Sequence, residues 1–426
     1  MRDAPASAPR VLIYSHDTFG LGHLRRSRAI AHAIVAAERE ARVVIASGSP
    51  FVDRFAFSDR VSAVRLPPVT KRVDGIYAPL EPGGALDERI AERAAIIEAT
   101  AEAFRPDLAI VDKEPTGLHG ELLPTLERLS VRGCRCVLGL RDILDDAERL
   151  APEWERKGAV EAVERFYDEI WVYGAARIHE PLRALARGPS NRLHYLGYLR
   201  REVPHWPPGR SEPPMAGAPF LLVTPGGGGD GAGLIDWVIS AYEADPGLPL
   251  PAIVAFGPFL DPETRAGFLA RVDRQPGRLT AITFDSEIEH LMSRAAGIVA
   301  MGGYNTFCEI LSFNRRALLV PRTEPRREQE IRAVAAEALG LARVLHADAE
   351  RDPARMAAAL RALPDQPEPS LSLPAGLLDG LGGVVERLRV ILATEPVPAP
   401  LPLTLPAQGP PFVESRAEPA LGCAHP

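Results

Sequence analysis

The sequence predicts an α/β protein with two domains, each built on a parallel β-sheet that helices cover on both faces. Two observations support this fold class. Short, almost uninterrupted apolar runs alternate with amphipathic stretches of helical periodicity, as expected for strands that are buried on both faces. The same plan repeats in the second half, and 426 residues are too many for one typical domain.

Six apolar runs in each half are predicted to be strands, with amphipathic helices such as residues 22–37 and 86–104 between them. The runs of the first half are residues 11–15, 43–47, 61–66, 108–112, 136–140 and 170–173. Those of the second half are residues 220–224, 252–256, 279–284, 297–301, 317–320 and 342–345. Strands and helices in this order predict a Rossmann-like sheet in each half.

Composition predicts the domain boundaries. The stretch 200–218 is rich in proline and charge and lacks apolar periodicity, so it separates the two domains. We predict a first domain over residues 10–200, a second domain over 217–364 and a C-terminal helix over 374–393. The proline-rich residues 395–426 cannot build a core and are predicted to be disordered or polyproline-like.

Charge and cysteine content limit the partners and the location. The formal net charge of −7 argues against a nucleic-acid partner. No stretch approaches the about 20 apolar residues of a transmembrane segment, and residues 1–10 lack the apolar region of a secretory signal. The four cysteines have no metal-ligand spacing and form no disulfide framework. We therefore expect a cytoplasmic protein, either free or peripheral at the inner membrane surface, without a metal or other cofactor.

The strongest functional signal follows the fourth apolar run of the second half. This run ends in Gly302-Gly303, and a polar turn with Asn305 and Thr306 then opens a helix. Ligands of open α/β sheets bind at the carboxyl edge of the strands, where a helix start suits a phosphate group. Glu309 lies more than one turn into the helix, where its carboxylate can accept hydrogen bonds from ribose hydroxyls. The segment is predicted to form half of a nucleotide-sugar site.

A second glycine loop follows the first apolar run of the same half. It contains Gly226, Gly227 and Gly228 and formally satisfies a dinucleotide-binding pattern. The next run lacks the terminal acid of that pattern, and the loop lacks a Walker lysine. The loop is predicted to face a diphosphate, or the other substrate across a cleft, with a plain flexible turn as the alternative.

The first apolar run of the chain is followed by a turn that contains Gly20, Gly22 and His23. A helix start disfavours imidazolium, so His23 is expected to be neutral at pH 7 and able to take a proton from an attacking hydroxyl. A contact with sugar or phosphate and a structural role are the alternatives. Asp112 ends the fourth run and Glu114 follows it, and these two acids either orient His23, bind substrate hydroxyls or form a solvated loop.

These motifs resemble those of GT-B glycosyltransferases. The turn at residues 15–31 resembles the first glycine loop of that superfamily, and the chain looks closer still to a group of uncharacterised bacterial predicted glycosyltransferases. The resemblance covers roughly residues 10–365. The matches to the donor-binding module of family 28 are Gly302, Gly303, Asn305, Thr306, Glu309, the run ending in Pro321, and Gln329.

The resemblance implies a transferase that moves a sugar from a nucleoside-diphosphate sugar, with a UDP-sugar expected, to an acceptor hydroxyl, with inversion. The acceptor is unknown, and a glycan or a lipid-linked molecule would fit. The second domain would bind the donor, and His23 would act as the base. Arg322, Arg326 and Arg327 lie near the proposed diphosphate, where they either complement its charge or form a solvated face. A UDP-sugar hydrolase on the same fold and a non-catalytic nucleotide-sugar binder or 2-epimerase-like protein are the alternatives.

Overall fold

The computed structural model describes residues 8–17, 22–71, 77–80, 84–145, 147–180, 192–205, 217–227, 229–285, 287–347 and 350–394. Gly20, Gly228 and the proline-rich tail that was predicted to be disordered therefore lie outside the described residues.

The first domain contains one large parallel sheet and one small antiparallel pair. Its strands are β1 (Arg10–Ser15), β2 (Arg42–Ser47), β3 (Val61–Arg65), β4 (Val69–Lys71), β5 (Tyr77–Pro79), β6 (Leu108–Asp112), β7 (Arg135–Arg141), β8 (Glu169–Tyr173) and β9 (Leu193–Tyr195). The parallel sheet has the order β3-β2-β1-β6-β7-β8-β9, and β4 pairs with β5. Its helices are α1 (Gly22–Ala37), α2 (Leu86–Phe104), α3 (Leu123–Val131), α4 (Ala147–Arg156) and α5 (Ala159–Phe166).

The second domain contains a parallel sheet with the order β12-β11-β10-β13-β14-β15. These strands are β10 (Leu221–Thr224), β11 (Ala252–Ala255), β12 (Leu279–Ile282), β13 (Gly297–Ala300), β14 (Ala317–Leu319) and β15 (Arg343–Val344). Its helices are α6 (Ala232–Ala244), α7 (Pro262–Val272), α8 (Glu289–Met292), α9 (Tyr304–Ser312), α10 (Glu328–Ala338) and α11 (Pro353–Ala362).

The predicted fold class is confirmed, because both sheets are parallel and carry helices on both faces. Strand β1 illustrates the reason: Val11 and Ile13 are buried in one apolar cluster, while Leu12 and Tyr14 are buried in a second cluster on the opposite face. The prediction of six strands in the first half was wrong, since β4 and β5 form a separate pair and β9 extends the described parallel sheet to seven strands. This strand is short and carries His194, so it lacks an apolar run.

The last helix, α12 (Gly380–Ala393), packs on the first domain. Val384 and Leu388 of this helix share an apolar cluster with residues of α1. Arg389 forms an ion pair with Glu38 at 2.7 Å, and Arg387 forms one with Glu169. The chain therefore crosses from the second domain back to the first.

Both sheets change direction at one pair of neighbouring strands. In the first sheet, the strand order reverses between β1 and β6, and in the second sheet it reverses between β10 and β13. Loops diverge from such a switch point and leave a crevice at the carboxyl ends of the two strands. His23 lies after β1, and Asp112 is the last residue of β6. The two predicted glycine loops follow β10 and β13.

Candidate active site

His23 and Asp112 form a hydrogen-bonded pair at the switch point of the first sheet. The distance from His23 Nδ1 to Asp112 Oδ2 is 2.6 Å. Asp112 is buried and also receives two hydrogen bonds from Arg26, at 3.0 Å from Nε and at 2.5 Å from NH2. The His23 side chain remains 17% exposed. A buried carboxylate therefore orients an imidazole that still reaches the cleft.

The partners of His23 define its protonation. Nδ1 lies 2.9 Å from Arg26 Nη2 as well, but the shorter contact is with the Asp112 carboxylate, which can only accept. Nδ1 therefore carries the proton that it donates to Asp112, and Nε2 is the acceptor of a neutral ring. Burial lowers the pKa of His23, although Asp112 opposes this shift. Burial alone would raise the pKa of Asp112, but Arg26 and His23 hold it well below its ordinary value, so Asp112 is ionised. The ring is consequently suited to accept a proton near neutral pH.

The other polar residues of this edge have different roles. Asp17 caps α1 by accepting a hydrogen bond from Leu24 N at 3.1 Å, so it does not orient His23. Ser47 Oγ donates to the same carboxylate at 2.7 Å. Glu114 lies in an ion pair with Lys157 at 3.1 Å. Of the two acids predicted to lie near His23, Asp112 contacts it directly, and Glu114 contacts a lysine.

Gly302 and Gly303 connect β13 to α9 at the switch point of the second sheet. Gly302 has a φ of 78°, a conformation that glycine adopts most readily. A Cβ atom placed on Gly303 would have no neighbour within 4 Å, so packing does not require glycine there. Tyr304 begins the helix directly after Gly303. The helix start thus has free space beside Gly303, as an anion site there requires.

The second glycine loop is only partly described. Gly226 has a φ of 90°, and a Cβ atom there would also meet nothing within 4 Å. The carbonyl of Gly227 accepts a hydrogen bond from Phe259 N at 3.1 Å. Since β10 and β13 are neighbours, this loop lies beside the Gly302-Gly303 turn.

The candidate sites of the two domains are adjacent. Asn305 Nδ2, in the first turn of α9, donates a hydrogen bond to the carbonyl of Gly22 at 3.0 Å. Gly22 begins α1 and directly precedes His23. Arg201 NH2 donates to Asn305 Oδ1 at 2.7 Å and so fixes the orientation of the amide. The structure therefore brings His23 next to the start of α9.

Glu309 is buried at the domain boundary and pairs with a residue of the first domain. Arg25 NH2 lies 2.6 Å from Glu309 Oε1 and 2.5 Å from Glu289 Oε1. One guanidinium thus forms ion pairs with two carboxylates. Burial raises the pKa of Glu309 to about 7, with Glu289 adding to the shift and Arg25 opposing it. The sequence did not predict this position of Arg25, because nothing local to α1 indicates a partner on α9.

The remaining predicted donor residues lie on the same face of the second domain. Thr306 is buried in the first turn of α9. Gln329 is buried at the start of α10, and its Oε1 accepts a hydrogen bond from Arg322 N at 3.2 Å. The Arg322 side chain donates to Glu328 at 2.8 Å and lies 2.5 Å from Asp230.

Two other predicted arginines also have carboxylate partners. Arg326 contacts Glu153 at 3.0 Å, and Arg327 contacts Glu330 at 2.8 Å. In this structure the three arginines therefore neutralise carboxylates, and Arg326 reaches across to the first domain to do so.

The two domains also share a buried ion pair that the sequence did not predict. Arg332 of α10 contacts both oxygens of Asp142 at 2.7 Å, and Tyr198 Oη donates to the same carboxylate at 2.6 Å. Arg332 also donates to the carbonyl of Gly302 at 2.8 Å. This arginine therefore ties the glycine turn to the first domain.

The described residues contain neither a metal-binding cluster nor a membrane-spanning helix. No group of three or more His, Cys, Asp or Glu side chains in that part of the chain has the arrangement of a metal site. None of the described helices combines the length and the apolar character needed to span a membrane.

Comparison with known proteins identifies the second domain and the fold. Residues 252–372 match the model of the glycosyltransferase family 28 C-terminal domain. No curated protein sequence matches the chain.

Solved glycosyltransferases share the architecture over nearly the whole chain. The calicheamicin glycosyltransferase CalG4 is 16% identical with a TM-score of 0.58, and the alignment covers 91% of this chain and 99% of that one. Glycosyltransferase VinC in complex with dTDP is 16% identical with a TM-score of 0.58, covering 90% and 99%. Phytolacca americana UGT2, complexed with UDP-2fluoro-glucose and pterostilbene, is 13% identical with a TM-score of 0.60, covering 91% and 100%.

At these identities the structural likeness shows the fold, while the match to residues 252–372 shows the kind of C-terminal domain. Both findings support a glycosyltransferase. The predicted GT-B fold and the predicted likeness of the C-terminal domain to family 28 are therefore confirmed, while the likeness to a bacterial group of glycosyltransferases stays a prediction.

Proposed function

We propose that this protein transfers a sugar from a nucleoside-diphosphate sugar, a UDP-sugar by preference, to an acceptor hydroxyl. One observation carries the proposal: the His23–Asp112 pair lies next to the open start of α9, linked by the hydrogen bond from Asn305 to Gly22. A base and an anion-binding helix start on opposite sides of one cleft are what transfer from a diphosphate leaving group requires.

In this proposal the second domain binds the donor. The diphosphate lies at the first turn of α9, where Gly303 leaves room for it. Glu309 accepts hydrogen bonds from the ribose hydroxyls, which requires Arg25 to share this carboxylate with the nucleotide. The nucleotides bound to VinC and UGT2, dTDP and a UDP-sugar, belong to the same chemical class as the proposed donor.

The first domain binds the acceptor and activates it. Nε2 of His23 takes the proton of the acceptor hydroxyl, whose oxygen attacks the anomeric carbon while the bond to the diphosphate breaks. Asp112 stabilises the imidazolium that forms. Attack from the side opposite the leaving group inverts the anomeric configuration. The helix start stabilises the charge on the diphosphate, so the proposed reaction uses no metal or other cofactor, and the nucleotide sugar is a substrate.

The test measures UDP affinity and UDP release on one variant. His23→Ala should lower kcat by ~10²–10⁴-fold, the usual contribution of a general base. UDP affinity should change little, because the donor is assigned to the other domain. His32→Ala is the matched control, since this histidine lies on the same helix against Phe57. Full activity in His23→Ala would exclude the residue as the base.

The same assay separates transfer from hydrolysis. For a transferase, UDP release from the wild type should depend on an added acceptor. Rapid release without any acceptor would show that water is the second substrate, and His23 would then activate water.

A further inference from the structure

Two cations at the carboxyl edge of the first sheet make no side-chain hydrogen bond within the described ranges. Lys113 directly follows β6, and Arg141 ends the neighbouring strand β7. Lys113 Nζ lies 3.7 Å from Glu114 Oε1, and Arg141 NH2 lies 4.0 Å from Glu328 Oε1. Both distances exceed that of a hydrogen bond.

Two neighbouring arginines have close carboxylate partners, which Arg141 does not have among the described residues. Arg26 bonds to Asp112 at 2.5 Å, and Arg332 bonds to Asp142 at 2.7 Å. The Arg141 side chain is only 20% exposed, and its Nε is buried without an acceptor. A guanidinium carries five N–H donors, and leaving buried donors unpaired is costly. In the described part of the chain, Arg141 therefore lacks a hydrogen-bonded carboxylate such as Arg26 and Arg332 have.

The two cations also repel each other. Burial lowers the pKa of Lys113 to about 8, and Arg141 and Arg326 contribute to this shift against Glu114. Burial and nearby arginines lower the pKa of Arg141 to about 10, against the attraction of Glu328. An anion placed between the two side chains would relieve this repulsion and satisfy the free donors.

The backbone of Lys113 is unusual as well. Its φ is 76°, a conformation that few residues other than glycine adopt. Its N–H group donates to the carbonyl of Gly139 at 2.9 Å, which fixes the residue against β7. Such conformations are costly and cluster at ligand-binding sites. The lysine is thus held against β7, the strand that ends in Arg141.

We propose that Lys113 and Arg141 form a subsite for a phosphate-type oxyanion carried by a substrate. This inference rests on the proposed function, and it adds that one substrate carries an anionic group at this place. Lys113 lies close enough to His23 to lower the pKa of the imidazole, so the anion would bind near the base. Arg141 adjoins Asp142, which connects through Arg332 to Gly302. The oxyanion therefore belongs either to the donor diphosphate or to an anionic group of the acceptor.

Sulfate is the probe, because its charge is constant from pH 6 to pH 9. Calorimetric titration should detect sulfate binding to the wild type against chloride at equal ionic strength. Lys113→Gln and Arg141→Gln should each weaken it about tenfold or more, as expected for a charge-assisted hydrogen bond. Arg165→Gln, which removes an arginine paired with Glu127 on the surface, should bind sulfate like the wild type.

Proton uptake provides a readout specific to the lysine. At pH 8 about half of the Lys113 side chains are uncharged, and sulfate should draw a proton onto them. Titrations in buffers of different ionisation enthalpy measure this uptake, and Lys113→Gln should abolish most of it. The charged or titratable groups that act on Lys113 or are acted on by it are Glu114, Arg141, Arg326, Lys157, His16 and His23.

A titration at saturating UDP distinguishes the two sources of the anion. If sulfate still binds, and both variants keep their UDP affinity, the subsite serves an anionic acceptor. If sulfate competes with UDP, and both variants lose UDP affinity, the subsite holds the donor diphosphate.

The proposed subsite is contradicted if sulfate binds the wild type no better than chloride does. It is also contradicted if both variants are folded and bind sulfate as tightly as the wild type does. Failure of UDP to bind the wild type would overturn the donor assignment and leave the sulfate result unchanged.

Discussion

At the scale of single residues, the chemistry of His23 depends on two physical effects that act on the same ring. Asp112 accepts from Nδ1 and so fixes the tautomer, while burial lowers the pKa and keeps the ring neutral. The sequence predicted the neutral base from the helix start alone. It left the partner open, because His23 and Asp112 are 89 positions apart and meet only through the order of the strands.

The first prediction concerns the pH profile of kcat/KM. Because the pKa of His23 lies below 6.5, the neutral base persists as the pH falls, and the acid limb should lie below pH 6.5. Asp112→Asn removes the charge that favours imidazolium, so it should move the limb lower still and reduce kcat by ~10²–10⁴-fold. The melting temperature should also fall, because buried Arg26 loses its counter-ion. A limb above pH 6.5 in the wild type would contradict the assignment.

The second prediction concerns the proton on Glu309. Its pKa is about 7 in the folded protein, above the ordinary value of 4.5. Between these values the folded state binds more protons than the unfolded state, so this group makes stability fall as the pH rises. Glu309→Gln should remove that slope, which denaturation at several pH values would measure relative to the wild type. The same variant should weaken UDP binding, as a lost hydrogen bond to ribose would.

Parallel slopes for the two proteins would mean that Glu309 does not titrate in this range. Unchanged UDP affinity in the folded variant would remove Glu309 from the donor site.

At the scale of elements, the start of α9 is the part of the donor site that the sequence located best. A glycine pair after a buried strand and before a helix is a local pattern, which adjacent residues reveal without knowledge of the tertiary structure. The strands were found for the same reason, since each run is apolar along its length. Strand β9 was not predicted, because it is short, has a polar residue in the middle and lies at the sheet edge.

The third prediction tests whether Gly303 serves a ligand. Gly303→Val places its side chain in open space, so the melting temperature should stay near that of the wild type while UDP affinity falls. Gly297→Ala is the contrast, because a Cβ atom there would lie 2.6 Å from Leu363 Cγ and should lower the melting temperature. Unfolding of Gly303→Val, or full UDP affinity in a folded variant, would show that the glycine is not a ligand-approach position.

At the scale of the whole molecule, the two domains are joined by buried polar contacts that no local pattern predicts. Arg332 and Asp142 are 190 positions apart, and Arg25 and Glu289 are 264 positions apart. Each residue alone looks like an ordinary charge on a helix or a loop. Only the packing of one sheet edge against the other decides which charges lose water and need a partner. The interdomain half of the site was therefore beyond sequence-based inference.

The last prediction concerns the Arg332–Asp142 pair, in which both side chains are buried. Asp142→Leu leaves an uncompensated guanidinium between the domains, which should cost about 3–5 kcal/mol in the free energy of unfolding. The double variant Asp142→Leu with Arg332→Met removes both charges and should regain most of this loss, because apolar side chains of similar size often replace a buried pair at little cost. Asp236→Ala breaks a surface pair with Arg271 and should change stability by at most about 1 kcal/mol.

Denaturation followed by tryptophan fluorescence reports on both domains, since Trp171 is buried in the first and Trp237 in the second. If the pair couples the domains, Asp142→Leu should also split a single transition into two, because each domain has its own core and unfolds separately once the contact is lost. The double variant should restore one transition. A double variant as unstable as the single one would mean that the lost hydrogen bonds of Asp142 with Tyr198 and of Arg332 with Gly302, rather than the charge imbalance, account for the loss of stability.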